Sequence, residues 1–120
     1  MIYYNEFVII RKDNLELIVL KQVERELKEG PKDIVPDIFA LFEELMNGKK
    51  LGLPVSKALP SIAKGLHELR LSGRYGEYRV FYVIKVKRAI FILHATSKKT
   101  QKIDRRTIDL LKLRMRNLDI

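Results

Sequence analysis

The 120-residue chain contains no cysteine, which excludes disulfides and thiolate metal sites. A chain without cysteine suits a reducing compartment, so we expect a cytoplasmic protein. No segment approaches the roughly 18 uninterrupted apolar residues of a membrane-spanning helix, so we expect no membrane span. The first apolar stretch carries Glu6 and Arg11 and lacks a basic leader, which is not typical of a signal peptide.

The chain is long enough for one domain, residues 1–120, with little room for a second. Apolar residues make up 47% of it, which is enough for one modest core. Repeats, low-complexity segments and Ser/Gly linkers are absent from the sequence. Nothing in the composition therefore divides the chain into separate units.

Acidic residues are scarce in the second half of the chain, so the net charge of +9 is unevenly distributed. Residues 1–63 carry 9 Lys and Arg against 10 Asp and Glu, a net charge of −1. Residues 64–120 carry 15 against 5, a net charge of +10. Such asymmetry indicates a polyanionic partner: nucleic acid, an anionic membrane or an acidic protein. The alternative is a charge that serves only solubility, although such a charge need not concentrate in one half.

The first part of the chain predicts one strand and two helices. Residues 2–10 form an apolar run rich in Tyr, Phe, Val and Ile, which predicts a strand. Asn14 is a candidate cap for a helix over residues 14–29, and Asp33 begins a second helix that Gly48 ends. A Gly-Pro pair separates the two helices, so we expect a helical hairpin.

Beyond an irregular segment, the apolar period changes from 3.6 to 2 and predicts three further strands. These strands cover residues 66–71, 77–86 and 89–95 and are joined by short turns. A last helix follows from Asp104 to about Leu118. The order β-α-α-β-β-β-α predicts an α+β domain, in which an antiparallel sheet meander carries the helical hairpin on one face and is followed by a C-terminal helix.

Two arginines and one histidine in these strands are candidates for chemistry. Arg70 and Arg79 lie on the polar sides of neighbouring strands, where their guanidinium groups could bind a phosphate together. The alternative is that each is a surface arginine paired with Glu68 or Glu77. His94 ends the last strand and is the usual kind of acid–base group near neutral pH, although a lone histidine is more often structural. We expect neither a metal nor a cofactor, because the two histidines are far apart and no nucleotide-binding motif is present.

A group of cations surrounds the start of the last helix. Lys98, Lys99 and Lys102 precede it, and Arg105 and Arg106 fall in its first turn. The helix macrodipole makes an N-terminus a poor place for cations, so a purely structural role is disfavoured. The arrangement favours the binding of an anion such as a nucleic-acid backbone.

Two motifs in this basic half resemble those of a known family. Residues 65–71, GLHELRL, followed by 77–82, EYRVFY, resemble the core of RelE/ParE-superfamily toxins. Residues 93–95, LHA, followed by 98–102, KKTQK, resemble the signature of the phage-derived, HigB-like branch. The resemblance is specific over residues 59–118, and it implies a RelE-like fold.

The resemblance implies the toxin of a type II toxin–antitoxin pair, an endonuclease that cleaves mRNA in the ribosomal A site. In such enzymes the 2′-hydroxyl of the substrate attacks the adjacent phosphate, while basic side chains orient the backbone and stabilise the developing charge. The implied partners are mRNA on the ribosome, ribosomal RNA and a cognate antitoxin, with no membrane. We expect a helical antitoxin on the basic half of the chain.

The resemblance also extends to individual side chains. It assigns phosphate binding and transition-state stabilisation to Arg70 and Arg79, and proton transfer to His94 and one of Lys98 and Lys99. Contacts with the RNA backbone or ribosomal RNA are expected from four basic residues: Arg74, Lys102, Arg105 and Arg106. No aromatic residue follows the lysine pair as it does in the better-known relatives, so Tyr75 is the candidate for stacking on a base.

Two other functions stay open at this point. The first is a ParE-like inhibitor of DNA gyrase, which cleaves nothing, although the lysine-rich run at 98–102 favours the nuclease branch. The second is a non-catalytic RNA-binding module, in which the same arginines would support affinity alone. Loss of full-length mRNA after induction would distinguish the nuclease from both.

Overall fold

The computed structural model describes all of the chain except residues 1, 4–6, 14, 86–87, 99–101 and 119–120. The strands are β1 (Ile2–Tyr3), β2 (Phe7–Lys12), β3 (Leu15–Leu20), β4 (Ser56–Ala58), β5 (Leu66–Gly73), β6 (Gly76–Lys85) and β7 (Ala89–Lys98). The helices are α1 (Lys21–Glu29), α2 (Val35–Met46) and α3 (Arg105–Asn117), and a short 3-10 helix (Lys32–Ile34) leads into α2. Within this part of the chain, no helix is long and apolar enough to cross a membrane.

The strands form one mixed sheet in the order β1-β2-β3-β7-β6-β5-β4. Neighbouring strands are antiparallel except β3 and β7, which run parallel. The α+β class predicted from the sequence is confirmed, and the consecutive strands β5, β6 and β7 form the predicted antiparallel meander. The sheet as a whole is mixed, because β3, a segment predicted as helix, joins it parallel to β7. The pairing covers only Glu16–Val19 against Ala89–Ile92, so the second half of β7 extends beyond its neighbour β3.

The first predicted helix begins only at Lys21, because Leu15–Leu20 forms β3 instead. This segment, LELIVL, pairs along its whole length with β2, and β-branched Ile18 and Val19 favour the extended conformation. Asp13 adopts a positive φ of 54° in the connection between the two strands. Asn14, the predicted helix cap, lies outside the described residues.

The placement of the first two helices differs from that of the predicted helical hairpin, which packs on one face of the sheet. The short helix α1 lies beside β7, whereas α2 packs against β3 and starts at Val35, after the 3-10 helix. Ile38, Phe42 and Leu45 form a buried apolar stripe on α2. Helix α3 packs beside β7 as well, so that α1 and α3 both meet this central strand.

The middle of the sheet is buried on both faces. Residues 80–83 of β6 are all buried, including Phe81 and Val83, which the alternating pattern places on the polar side. The register shifts between Phe81 and Tyr82, because Phe81 pairs with His94 and Tyr82 with Ile92. This β-bulge leaves Leu93 without a direct partner on β6. It shifts which side chains of β7 lie on each face of the sheet, directly after the last residue of β7 that pairs with β3.

The start of α3 follows the prediction. The side chain of Asp104 accepts a hydrogen bond from the backbone N–H of Thr107 at 2.8 Å, as an N-cap residue does. Leu111 and Met115 are buried on the inner side of the helix. The cap fixes the entry to α3 directly after the basic segment that follows β7.

Candidate functional site

The register of β5, β6 and β7 brings the two candidate arginines and the candidate histidine onto one face of the sheet. Arg70 lies directly opposite Arg79, and the next row on the same face is formed by Glu68, Phe81 and His94. His94 is therefore a diagonal neighbour of Arg79, with their Cα atoms about 7–8 Å apart. The structure thus places Arg70, Arg79 and His94 within two adjacent rows.

A buried carboxylate, Glu68, bridges the two arginines. Its Oε1 is 3.1 Å from Nε of Arg70, and its Oε2 is 3.1 Å from Nε of Arg79. These contacts have ion-pair distances without hydrogen-bond geometry. Two like charges directly opposite each other in a sheet repel, and the carboxylate between them offsets that repulsion. Pairing with Glu68 was the structural alternative left open by the sequence, and the contact is present for both arginines.

The two arginines differ in exposure, and this difference separates what each can do. The side chain of Arg70 is 29% exposed, whereas that of Arg79 is 6% exposed and lies in the interior. Arg70 can therefore touch a ligand on the surface directly. Arg79 supplies its charge from beneath that surface, where the lower dielectric strengthens its interactions.

The start of α3 lies within electrostatic reach of Arg79. The hydrogen bonds from Thr107 hold the pKa of Asp104 below its ordinary value, and the positive charges of Arg106 and Arg79 add to the effect. The start of α3 is therefore close enough to Arg79 for the charges of Asp104 and Arg79 to interact.

His94 is tied to two helices through Glu26 of α1 and Arg114 of α3. Its Nδ1 is 3.0 Å from Oε1 of Glu26, and the same oxygen accepts the backbone N–H of Ala95 at 3.1 Å. Arg114 donates to both carboxylate oxygens, through Nη1 at 3.2 Å and Nη2 at 2.9 Å. Nη1 also donates to the carbonyl of Leu93 at 2.8 Å.

This cluster closes the part of the β7 edge that β3 does not cover. The N–H of Ala95 and the carbonyl of the bulged Leu93 are backbone groups that a neighbouring strand would otherwise satisfy. Glu26 and Arg114 satisfy them with side chains instead. The cluster therefore has a structural role in joining α1, β7 and α3.

The ionisation of Glu26 follows from its surroundings. Burial by itself raises the pKa of this carboxyl, but the hydrogen bonds from His94 and Arg114 outweigh burial, and the pKa is lowered from its ordinary 4.5. Glu26 is consequently a carboxylate at neutral pH. Tyr78, whose hydroxyl donates to the backbone carbonyl of Glu26 at 3.1 Å, has its pKa raised to about 12 by burial and by the charges of Glu26 and Glu29.

Arg74 and Tyr75 form the two-residue turn between β5 and β6. Gly73 and Gly76 pair across its base, and Gly76 adopts a positive φ of 109°. The backbone N–H of Arg74 donates to the side chain of Asp33 at 2.7 Å, which fixes the turn against the 3-10 helix. The Tyr75 ring is 75% exposed at the tip, so it is accessible to a base.

The remaining predicted residues follow β7. Lys98 is the last residue of β7 and pairs with Glu77, one row from the β5–β6 turn. Lys99 lies outside the described residues. Lys102 and Arg106 are exposed, and Arg105 is exposed in an ion pair with Asp109 at 3.2 Å. The predicted RNA-contacting positions thus include both the turn end of the sheet and the start of α3.

Glu26 and Arg114 were absent from the candidates that the sequence indicates. Arg114 carries a signal in retrospect, since it lies between Leu111 and Leu118 on the inward stripe of α3, where a charged residue needs a partner. Glu26 resembles an ordinary helix carboxylate and carries no such signal. No cluster of three or more His, Cys, Asp or Glu that could hold a metal occurs among the residues described.

Most of the chain matches the model of one known protein family. The model of a phage-derived Gp49-like protein family (DUF891) matches residues 25–116 of the chain. A search of curated proteins finds no match. The matched segment contains the arginine row on β5 and β6 together with Glu26, His94 and Arg114.

Proposed function

The chain belongs to the phage-derived Gp49-like family, which is related to toxin–antitoxin systems, and from this premise we propose that it is a type II toxin that cleaves mRNA on the ribosome. The observation that carries the proposal is the placement of Arg70, Arg79 and His94 on one face of the sheet. This face combines a paired-arginine site for phosphate with a group able to transfer a proton.

The reaction that suits these groups is attack by a ribose 2′-hydroxyl on the adjacent phosphate. A bond forms between the 2′-oxygen and phosphorus, and the bond from phosphorus to the 5′-oxygen breaks. One group must accept the proton of the 2′-hydroxyl and another must supply a proton to the 5′-oxygen. His94 is our candidate for one of these steps and Lys98 or Lys99 for the other. Because the nucleophile belongs to ribose, the activity is specific for RNA.

The arginines act on the phosphate in different ways in this proposal. Arg70, which reaches the surface, contacts the phosphate oxygens. Arg79 lies under the surface and stabilises the negative charge that grows on the phosphate. Glu68 already holds its guanidinium in place, so little reorganisation is needed during the reaction. Electrostatic stabilisation of this kind depends on charged groups that are already in position, and the ion pairs with Glu68 hold both arginines there.

RNA outside the cleavage site is held by the turn end of the sheet and the start of α3. Tyr75 stacks on a base, and the basic side chains of Arg74, Lys102, Arg105 and Arg106 contact the backbone of mRNA or of ribosomal RNA. We also propose that a helical antitoxin neutralises the toxin by covering this basic half. Absence of a complex in co-purification with the product of the neighbouring gene would contradict the antitoxin proposal.

The test is induced expression of the wild type beside Arg70→Ala, with growth and mRNA integrity as readouts. Arg70 is preferred to the buried Arg79 because its removal leaves the core intact. We expect growth arrest and mRNA cut at discrete in-frame positions by the wild type, with cleavage reduced about 100-fold or more in Arg70→Ala. Arg11→Ala, an exposed arginine on β2, is the matched control and should behave as the wild type.

A second arm tests the nucleophile. A ribosome-bound mRNA with one 2′-deoxynucleotide at the cleavage position should resist cutting there and stay sensitive elsewhere. Arrest with intact mRNA would overturn the nuclease proposal and favour a gyrase-type inhibitor. No arrest from well-expressed, folded protein would overturn the toxin proposal itself.

A further inference from the structure

The imidazole of His94 is held through one of its two nitrogens. Nδ1 contacts Glu26, whereas Nε2 forms no hydrogen bond with any described residue. We propose that Glu26 and Arg114 are positioning residues that fix His94 in the Nδ1–H tautomer and thereby make Nε2 the nitrogen that exchanges a proton with RNA. The kinetic part of this proposal rests on the proposed nuclease function, whereas the tautomer part does not.

The tautomer follows from the hydrogen bonds of Glu26. Oε1 of this carboxylate lies 3.0 Å from Nδ1, and a carboxylate can only accept. Nδ1 must therefore carry the proton, since two lone pairs at this distance would repel. The 3.3 Å separation between Nη1 of Arg114 and Nδ1 is then a contact between two donors, and both donate to Oε1 of Glu26.

The second ring nitrogen remains available for chemistry. Nε2 has no hydrogen-bond partner among the described residues, yet it is not one of the fully buried polar atoms. The His94 side chain retains 12% exposure, so this nitrogen reaches solvent. The ring is nearly parallel to that of Phe81, with centroids 6.0 Å apart and 12° between the planes. Rotation of the imidazole would break both the stacking and the bond to Glu26. His94 is consequently held in one orientation.

Arg114 sets the charge balance around the ring. Its guanidinium neutralises Glu26, so neutral His94 is not left beside an uncompensated buried carboxylate. Two further charged residues lie near His94 in the sheet: Arg79, its diagonal neighbour on β6, and Glu68, which lies beyond Phe81 in the same row. Arg79 and Glu68 also form an ion pair, so their opposite charges offset each other beside the ring.

A purely structural cluster would not require a histidine. Glu26 already accepts bonds from Ala95 and from both terminal nitrogens of Arg114, and these contacts satisfy the β7 edge. The bond from His94 adds nothing to the backbone groups of β7. What it does is hold in one orientation an imidazole that lies on the same face of the sheet as Arg70 and Arg79.

The tautomer can be measured directly by NMR of the histidine ring nitrogens. The chain has only two histidines, so a His67→Gln variant assigns both rings. In the wild type at a pH where the ring is neutral, we expect the Nδ1–H form of His94. Glu26→Gln keeps an acceptor oxygen and should keep this form, whereas Glu26→Met combined with Arg114→Met removes the acceptor without leaving an unpaired charge. In the double variant we expect the Nε2–H form to appear.

The kinetic arm compares the same proteins in cleavage of ribosome-bound mRNA. The double variant should lose about 100-fold in kcat, because a misprotonated imidazole cannot serve at Nε2, while KM stays close to the wild-type value. The Glu26→Gln variant should keep most of the wild-type kcat, because it keeps the acceptor oxygen for Nδ1. Glu29→Gln, at the exposed end of α1, is the matched control and should change neither the tautomer nor kcat.

Three results would overturn the proposal. They are an Nε2–H tautomer in the wild type, an unchanged tautomer in the folded double variant, or a changed tautomer with unchanged cleavage. If the wild type cleaves no RNA at all, the proposed function fails, and the tautomer measurement alone then decides whether Glu26 positions His94.

Discussion

Replacing Glu26 with methionine removes the acceptor shared by His94, Ala95 and Arg114, and we expect the free energy of unfolding to fall by about 3–5 kcal/mol. The side chains of Glu26 and Arg114 are only 20% and 12% exposed, so solvent screens their interaction weakly. Most of the loss comes from Arg114, which would remain in the interior as an unpaired charge.

The geometry indicates that the loss of stability is larger than the loss on breaking a surface ion pair. Arg114 approaches the carboxylate through two nitrogens, at 3.2 and 2.9 Å, so the contact is bidentate. The N–H of Ala95 would lose its acceptor at the same time, which adds the cost of an unsatisfied backbone donor. A loss of this size lowers the Tm by roughly 10–20 °C for a chain of this length.

Urea denaturation followed by far-ultraviolet circular dichroism measures this change. The Glu26→Met and Arg114→Met variants should each be strongly destabilised, and the double variant should recover most of the loss because no unpaired charge remains. Glu29→Gln should be within about 0.5 kcal/mol of the wild type. A loss below about 1 kcal/mol for Glu26→Met, or additive losses in the double variant, would refute the reasoning.

The same ion pair predicts the response to acid. The folded-state pKa of Glu26 is lowered from its ordinary 4.5, so the stability that its ionisation supplies is present above that value. This stability is lost as the pH falls through the lower, folded-state pKa. The acid side of the stability curve should therefore be shallower in Glu26→Gln than in the wild type.

Three further predictions concern other parts of the fold. Arg79→Ala should lower the free energy of unfolding by about 3–5 kcal/mol in urea denaturation, because it removes the more deeply buried of the two charge partners of Glu68. Arg70 is partly exposed, so Arg70→Ala should cost about 1 kcal/mol or less. Equal losses would contradict the difference in burial. Gly73→Ala should lower stability by about 1–3 kcal/mol, because its Cβ would collide with the side chains of the adjoining 3-10 helix, and an unchanged denaturation midpoint would disprove this. Tyr78 should ionise near pH 12, so the stability from its buried neutral form is full below pH 10 and is lost as the pH rises from 10 toward 12; Tyr78→Phe should flatten the alkaline side of the stability curve, and an unaltered alkaline slope would show that burial does not perturb this tyrosine.

The arginine row could be predicted from the sequence because a short turn fixes it. Two residues join β5 and β6 between a paired Gly73 and Gly76, and the register of a hairpin follows from its turn. Counting back from this turn places Arg70 opposite Arg79. The alternating pattern of β6 also predicts which residues share a face, up to the bulge after Phe81.

The segment before α1 could not be predicted in the same way. The leucines at positions 17, 20 and 27 extend a helical spacing backwards from α1, and the same residues are compatible with a buried strand. What decides the outcome is pairing with β2 on one side and with β7 on the other. The β7 pairing joins Leu17 to Ile90, far apart in the chain, and no local pattern encodes it.

The cluster around His94 depends on long-range contacts even more strongly. Glu26 lies 68 residues from His94 and 88 residues from Arg114. Each of the three residues has an ordinary explanation in its own element, as a helix carboxylate, a histidine within a strand and a basic residue near a helix C-terminus. Their meeting follows from the end of β3, which leaves part of the β7 edge for α1 to cover.

The parallel pairing of β3 with β7 also sets when the sheet can be completed during synthesis of the chain. Residues 16–19 leave the ribosome early, but their central partner at 89–92 is made much later, and α3 with Arg114 follows last. Pairings so distant in sequence form late, after the whole chain has emerged. The cluster of Glu26, His94 and Arg114 therefore cannot be complete before α3 has been made.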